Sequence, residues 1–451
     1  MKKRNLFLAL ASGMVMFSAC SNDEGLMDDA NVNAASDAQQ IVLQVANTGD
    51  GMKTRAGRPL YSSAAAQQVN KVTLIVCNQK DNKVAYTTTI DNWATVSKEY
   101  ATNGHGTEYT FTIPKDKKLT EGSYTVYAVG YSNDSEYTSD AKAAIGTVFT
   151  GNTILNFQSN KTPKNNAEEI FAGSLADIKV GKDKNIGFRK PVVLNRQVAG
   201  AFTYVKDIPY YEGAAKLRLV AATRNQNLVL GHFANFDLVN NGTNNTGNIN
   251  YVVNGTNAAS DKVLYEIDLT KWFKSIKDDN NDQVIDLFET GQNEETKGNW
   301  IGNSEGNLTN GRPKYAIGSV FGGQFVIPFQ KAGANSLELQ LTNNDGSKVL
   351  RTWVIKLPTA EKSSALIAWN GNNFAEVASY EEDEYQYSVV RNHLYGVGKR
   401  TFDGTPTDPN PDPDPETEKP GTNEPESLNN KQELILRVND NWEVIHDMEI
   451  E

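Results

Sequence analysis

The segment Leu337-Glu338-Leu339-Gln340-Leu341 switches between apolar and polar at every residue, and the same period of two returns along most of the chain. A period of two describes a pleated strand with one buried and one wet face, whereas an amphipathic helix repeats every 3.6 residues. Val72-Thr73-Leu74-Ile75-Val76-Cys77 sets Val72, Leu74 and Val76 on one face, and Thr107 to Ile113 sets Tyr109, Phe111 and Ile113 together. From Ser123 to Tyr131, Tyr124, Val126 and Ala128 alternate with Thr125, Tyr127 and Val129. Leu217-Arg218-Leu219 and Trp353-Val354-Ile355-Lys356-Leu357 repeat the pattern. Asn, Gly and Asp clusters, notably 240–257, separate the runs and read as loops. Helical periodicity is confined to short stretches at Ser62 to Val69 and Ala141 to Ala144, each a turn or two. The chain is therefore expected to be all-β, built as antiparallel sandwiches. A body of roughly 340 residues is too long for one sandwich, so two are expected in tandem. The break falls near 190–201, where Pro191 precedes the fresh strand Val192-Val193-Leu194.

Composition narrows the function. The 451 residues carry a formal charge of −11, and an acidic surface repels the phosphates of a nucleic acid. Two cysteines cannot make a disulfide scaffold, and Cys77, in an apolar run, reads as a buried thiol. The four histidines His105, His232, His393 and His446 are scattered without metal-ligand spacing. No Gly-rich phosphate loop, nucleophile elbow or metalloprotease motif is present, and no carboxylate pair stands out among the many acids. The expectation is a binding or structural protein with no catalytic residues and no cofactor. One acidic stretch has two readings. Asp278, Asn280, Asp282, Asp286 and Glu289 fall at positions 1, 3, 5, 9 and 12 of a calcium loop, but Gln283 stands at position 6, where a glycine is wanted. The other reading is an acidic surface turn.

The N-terminus is an address. Lys2, Lys3 and Arg4 precede an apolar run, Leu6 to Phe17, too short for a membrane span of ~20 residues. Small residues then lead to Cys20 in Phe17-Ser18-Ala19-Cys20, which reads as a lipobox. Acyl chains on Cys20 would anchor the chain, each buried methylene contributing ~0.8 kcal/mol. Farther on, Ile41-Val42-Leu43-Gln44-Val45 reads as a strand with Ile41, Leu43 and Val45 on one face. The basic, exposed tract Gly51 to Pro59 follows, with Arg55-Ala56 suited to a trypsin-like protease. A cut there frees the anchor and the strand together.

The C-terminus departs furthest from globular composition. Residues 402–428 hold seven of the fifteen prolines and eight acids against one base, Lys419. Such a tract favours extended polyproline II rather than a core. Beyond it, Leu434, Leu436 and Val438, then Trp442, Val444, Met448 and Ile450, alternate with polar residues. A strand with an apolar face has to bury it, either on its own domain or in another molecule. A sandwich that had lost Ile41 to Val45 would offer a groove, which another copy's tail could fill by β-augmentation. Contacts of that head-to-tail kind do not close and so grow a filament.

Together these features resemble the Bacteroidetes type V fimbrillin family of Mfa/Fim-type major fimbrial subunits. Leu194-Asn195-Arg196-Gln197-Val198-Ala199 looks like the family's second-domain opening, and Ser388 to Tyr395 like its last body strand. The Asp-Pro repeats and Trp442-Glu443-Val444-Ile445-His446 follow as in shaft subunits. The resulting division is a signal peptide at 1–19, a propeptide with the removable strand at 20–55, β-sandwiches at 56–195 and 196–401, a linker at 402–428 and donor strands at 429–451. The resemblance implies transthyretin-like domains, an arginine-specific maturation protease, and an adhesive cell-surface fibre that supports biofilm. The partners it implies are other copies of the chain, accessory pilins, the outer membrane before cleavage, and host or bacterial surface ligands. A tip or accessory adhesin and a surface glycan-binding lipoprotein are the alternatives.

Overall fold

A computed structural model describes residues 38–46, 69–99, 106–133, 135, 143–149, 156–158, 169–183, 186, 191–229, 250–258, 260–289, 298–302, 308–309, 312–313, 315–330, 337–356, 365–379, 388–400, 423–429 and 433–439. Within them the fold is all-β. The first sheet system uses β1 (Gln40–Ala46), β2 (Lys71–Asn78), β3 (Val84–Ile90), β4 (Lys98–Glu99), β5 (Gly106–Thr112), β6 (Gly122–Tyr131), β7 (Phe171–Val180) and β8 (Val192–Arg196). The second uses β9 (Ala199–Lys206), β10 (Lys216–Ala221), β11 (Val263–Asp268), β12 (Val320–Val326), β13 (Leu337–Thr342), β14 (Val349–Lys356), β15 (Leu394–Val397) and β16 (Glu433–Asn439). The alternating runs named between Ile41 and Lys356 lie in these strands, with Ile113 just past the end of β5, as does Leu434 to Val438; Trp442 to Ile450 lie outside the described residues. The helical pattern at Ala141 to Ala144 is not realised at the described Ala143 and Ala144, and that at Ser62 to Val69 lies outside the described residues but for Val69; helical turns form at Trp93–Val96, Lys115–Lys117 and Leu269–Lys271.

The first system runs in the order β3-β2-β6-β7-β8-β1-β5-β4 and the second β11-β10-β13-β14-β16-β15-β9-β12. In the first, β7 and β8 touch through only two residue pairs, Phe171 with Arg196 and Ala172 with Asn195. The sheet folds over at that seam, and its halves enclose one core. Leu43 and Val192 from one half meet Leu74 and Val126 from the other. The second system encloses a core in which Leu217, Leu339 and Trp353 meet Ala201, Val326 and Val397. Both are two-layer sandwiches, the solution open to sheets with one apolar face.

The two sandwiches share a wiring. Taken in chain order, β1, β2, β3, β5, β6, β7 and β8 correspond to β9, β10, β11, β12, β13, β14 and β15. In each, the first strand lies parallel to the last and antiparallel to the fourth of these seven. The sequence shows no matching repeat, because a sandwich asks only for alternation and turns. Strand β16 has no counterpart in the first sandwich.

Strand β2 is buried on both faces, which simple alternation did not foretell. Val72, Leu74 and Val76 line the first sandwich's core, while Ile75 and Cys77 join Tyr127, Val129, Phe202, Tyr204, Phe321 and Phe325 in a third core. That third core packs the β2–β6 face against the second sandwich within the compact unit that begins at Ala38.

Candidate functional site

Strand β1 is an interior strand. It pairs antiparallel with β5 over its whole length, Leu43 opposite Tyr109, and parallel with β8, Leu43 opposite Val192. The predicted inward residues are buried: Ile41 is 3 %, Leu43 0 % and Val45 4 % exposed. Burial of three such side chains contributes ~1.5–3 kcal/mol each. Beyond β1 on one side, β5 has only the two-residue β4. Withdrawing β1 would part β5 from the rest of its sheet.

A residue just before the predicted strand matters as much. Gln39 is wholly buried, and its side-chain Nε2 donates to the Leu119 carbonyl at 2.9 Å while the Leu119 N–H donates to its Oε1 at 2.7 Å. The Gln39 carbonyl accepts from the Ile113 N–H. A side-chain amide thus substitutes for one rung of the ladder. The signal was available in the sequence, since Gln39 continues the inward period of Ile41, Leu43 and Val45. On the outward face Gln44 Nε2 donates to Glu108 Oε2 at 2.6 Å.

Strand β16 also lies inside a sheet, parallel to β14 and antiparallel to β15. The tail therefore folds back onto its own chain over residues 433–439. Leu434 is buried in the second sandwich's core, Leu436 stands opposite Val397, and Val438 opposite Tyr395. The end of the proline-rich tract is packed as well. Asn423–Glu424 pair with Lys399–Arg400, Glu426–Ser427 pair with β9, and Leu428 is buried with its carbonyl accepting from Trp353 Nε1. Proline density falls after Pro425, so the backbone recovers the donors that pairing needs. Cys20, Arg55, Ala56, Trp442, Val444, Met448 and Ile450 lie outside the described residues.

The segments Leu194 to Ala199 and Ser388 to Tyr395 meet between the sandwiches. Arg196 pairs with Glu169 at 2.7 Å, both buried, and its Nη1 donates to Asn392 Oδ1. Arg391 Nη1 donates to Gln197 Oε1 at 2.8 Å, and Asn254 Nδ2 donates to the Gln197 carbonyl. Tyr395 closes a corner, its hydroxyl donating to the Ser388 carbonyl and accepting from the Val390 N–H. Burial pushes the Glu169 carboxyl above the usual carboxylate range, against the pull of the Arg196 charge. His393 is buried here, with Nδ1 2.8 Å from the Arg391 carbonyl.

The acidic loop at 278–289 uses its carboxylates on its own backbone. Asp278 accepts from the N–H groups of Asp282 and Gln283, Asp282 from Val284, and Asp286 from Asp279. Gln283 does take a positive φ of 67°, the conformation for which a calcium loop uses glycine. Among the described residues no group of three or more His, Cys, Asp or Glu side chains is placed to hold a metal ion. The geometry is that of a capped acidic turn. Cys77 is buried and free, its thiol pushed up to about 12 by burial.

No family model matches the chain, and no curated protein matches it. Its similarity is to solved structures. One is a fimbrial assembly protein from Parabacteroides distasonis, at 10 % identity and TM-score 0.33, covering 80 % of this chain and 90 % of that one. Another, assigned to cell adhesion and from the same organism, shows 10 % identity and TM-score 0.39 over 89 % of this chain and 96 % of its own. A third is the tip fimbrial protein Mfa3 from Porphyromonas gingivalis, C-terminally truncated, at 13 % identity and TM-score 0.34 over 81 % and 96 %.

Proposed function

We propose that this chain is a structural subunit of a cell-surface fimbria. It is made as a precursor lipidated at Cys20, cut between Arg55 and Ala56 by an arginine-specific protease, and polymerised head to tail by strand exchange. The observation that carries the reading is the position of β1. It is an interior strand of the first sandwich, and the tract with Arg55 separates it in sequence from every other strand. Most proteins hold such a strand permanently. Here one peptide bond decides whether it stays tethered.

While β1 is in place, its slot is closed and no partner strand can enter, so the precursor does not polymerise before it is cut. After the cut, β1 is held only by noncovalent contacts, and a longer apolar strand from another copy can displace it. Burial of Leu434, Leu436, Val438, Trp442, Val444, Met448 and Ile450 at ~1.5–3 kcal/mol each gives an upper estimate above ~10 kcal/mol for the joint. A joint of that strength opens slowly, as a fibre under shear requires. Other copies, accessory pilins and surface ligands are the partners in this reading, and the outer membrane holds the precursor through its lipid. The glycan-binding alternative needs exposed aromatic platforms; Trp93 and Trp353 are buried, and Trp272 and Trp300 are half-buried against the cores.

N-terminal sequencing of the mature surface form tests the proposal. Fibres whose subunits begin at Ala56 are expected, and Arg55→Ala should accumulate uncut, acylated precursor. A surface form that keeps acylated Cys20 at its N-terminus, or normal fibres from Arg55→Ala, overturns it.

A further inference from the structure

Two Asn-Gly steps fall among the described residues, Asn254-Gly255 and Asn370-Gly371. Such a step can react with itself. Glycine has no Cβ to shield its backbone nitrogen, so that nitrogen can approach the carbonyl carbon of the preceding side-chain amide. The fold treats the two steps in opposite ways.

Asn254 is wholly buried. Its Nδ2 donates to the Gln197 carbonyl at 3.1 Å and lies 3.3 Å from Gln197 Oε1. Gly255 is pressed so closely on the Pro328 carbonyl that an added Cβ would lie 1.9 Å from its oxygen. The side-chain amide is thus held toward Gln197, and the backbone beside it has no room to move.

Asn370 sits in the turn between the paired strands Ala365–Trp369 and Phe374–Ser379, and residues 370–373 are all exposed. Its N–H donates to the Asn373 carbonyl at 3.1 Å and closes the turn. Its Oδ1 accepts from the N–H groups of Asn372 at 2.9 Å and Asn373 at 3.0 Å. These two bonds hold the side-chain carbonyl over the backbone that follows. They also have the length and aim of an oxyanion hole, ready for charge that develops on Oδ1. Nδ2 donates to Asn373 Oδ1 at 2.7 Å. Nothing lies within 4 Å of the place a Cβ would take on Gly371, whose φ is +102°. Among the described residues no group accepts a hydrogen bond from the Gly371 N–H.

We propose that Asn370 is a site of self-modification, converted through a cyclic imide with Gly371 to aspartate or isoaspartate. The Gly371 nitrogen gives its proton to water and attacks Asn370 Cγ. The new N–Cγ bond closes a five-membered ring, and the Cγ–Nδ2 bond breaks. Nδ2 takes up a proton and leaves as ammonia. Held reactants need no encounter, which is the advantage of an intramolecular step. One water then opens the imide. Its attack at Cγ gives aspartate, and its attack at the main-chain carbonyl of 370 gives isoaspartate, with one more methylene in the backbone. No oxidant or reductant takes part. Either product adds a negative charge to the turn. Isoaspartate also lengthens it, which disturbs the 370–373 closure and the contact of Trp369 on Phe374, whose rings lie 5.2 Å apart. The site stands independently of the fimbrial reading.

The test is incubation of the folded full chain at mildly alkaline pH, with mass spectrometry of the peptides that carry Asn370 and Asn254. Amide loss at 370 should run at least about tenfold faster than at 254, and the two should converge in denaturant. Equal rates in the folded chain overturn the proposal. So does a rate at 370 that rises about tenfold on denaturation, because the turn then shields the amide. Isoaspartate should be present among the products; aspartate alone means direct hydrolysis by water and overturns the attack by Gly371. Asn370→Gln keeps an amide but needs a larger ring, and should stop the reaction. Gly371→Ala places a methyl group in open space beside the nitrogen and should slow it about tenfold. Unchanged amide loss in both variants overturns the ring closure.

Discussion

In the second sandwich the opening strand β9 follows β8 after two residues, Gln197 and Val198, and is fixed by continuity of the chain. In the first, the matching strand β1 reaches its place on a segment joined to the rest only through residues 47–70. The seams differ too. The first closes directly, β7 against β8, with Gly173 so close to the Val193 carbonyl that an added Cβ would lie 1.9 Å from its oxygen. The second holds an extra strand, β16, between β14 and β15. One design thus appears twice, once opening on a strand set apart in sequence and once with an extra strand in its seam. The two departures are not equivalent: β1 is the sole link between β5 and the rest of its sheet, whereas β16 lies between two strands whose counterparts in the first sandwich pair directly.

The sharpest break of that comparison is to ruin each special strand in turn. Leu43→Asp places an unpaired charge in a site with no exposure, and destabilisation beyond about 4 kcal/mol is expected, enough to unfold the first sandwich. Truncation after Leu428 removes β16 but leaves the seven common strands of the second sandwich. Its cost should be nearer the burial of Leu434, about 2–3 kcal/mol, with β14 and β15 closing as β7 and β8 do. Denaturant unfolding followed by strand-specific hydrogen exchange separates the two cases. A truncated chain whose second sandwich is unfolded would make β16 an integral strand, and the comparison would fail.

A smaller effect tests the closed seam. Gly173→Val inserts side-chain atoms against the Val193 backbone, and overpacking of this kind costs about 1–3 kcal/mol. The loss should appear in the first sandwich and in the exchange of the β7 and β8 amides. Unchanged stability would mean that the seam has slack, and the two seams would then differ less than their strand content suggests.

The sheet strands were readable because their chemistry is local. Tyr124, Val126 and Ala128 fall on one face of β6, and Tyr127 and Val129 on the other, as the period of two requires. Which neighbours a strand chooses was not readable. Alternation is the same for an edge, a seam or an interior strand, so nothing in Glu433 to Asn439 distinguishes its own second sandwich from another molecule. Gln39 keeps the inward period of β1, but the role of a polar residue before an apolar run is visible only where its amide meets Leu119. The meeting of Glu169 with Arg196 and Asn392 joins residues far apart in the chain, and no local pattern encodes it.

That junction gives a pH-dependent prediction. A carboxyl whose folded pKa is raised binds its proton more tightly folded than unfolded. Glu169 therefore adds stability that is full below its ordinary unfolded value of about 4.3 and is lost as pH rises through the higher folded value. Between the two values the loss is about 1.4 kcal/mol per pH unit for this one group. Glu169→Gln keeps an oxygen for Arg196 Nε but cannot titrate, so this fall of stability with rising pH should disappear. The same fall persisting in the variant would assign it to another group.

Cys77 reports on both sandwiches at the lowest cost to the fold, since it lies on the β2 face that packs against the second sandwich. Burial raises its thiol from 9.0 to about 12. At pH 8 the thiolate, which is the reacting form, is then about a thousandfold scarcer than in the unfolded chain, and alkylation should be slower by at least about that factor. The rate is thus a gauge of how often the core between the sandwiches opens. Gly173→Val should raise it, because β7 packs beside β6 in the same sheet and its disturbance passes to the Cys77 face. Truncation after Leu428 should leave it unchanged, since Leu434 of β16 lies in the second sandwich's own core and not in the core around Cys77. Equal acceleration in both variants would show that the special strands are coupled through the third core, and the two sandwiches would have to be treated as one cooperative body.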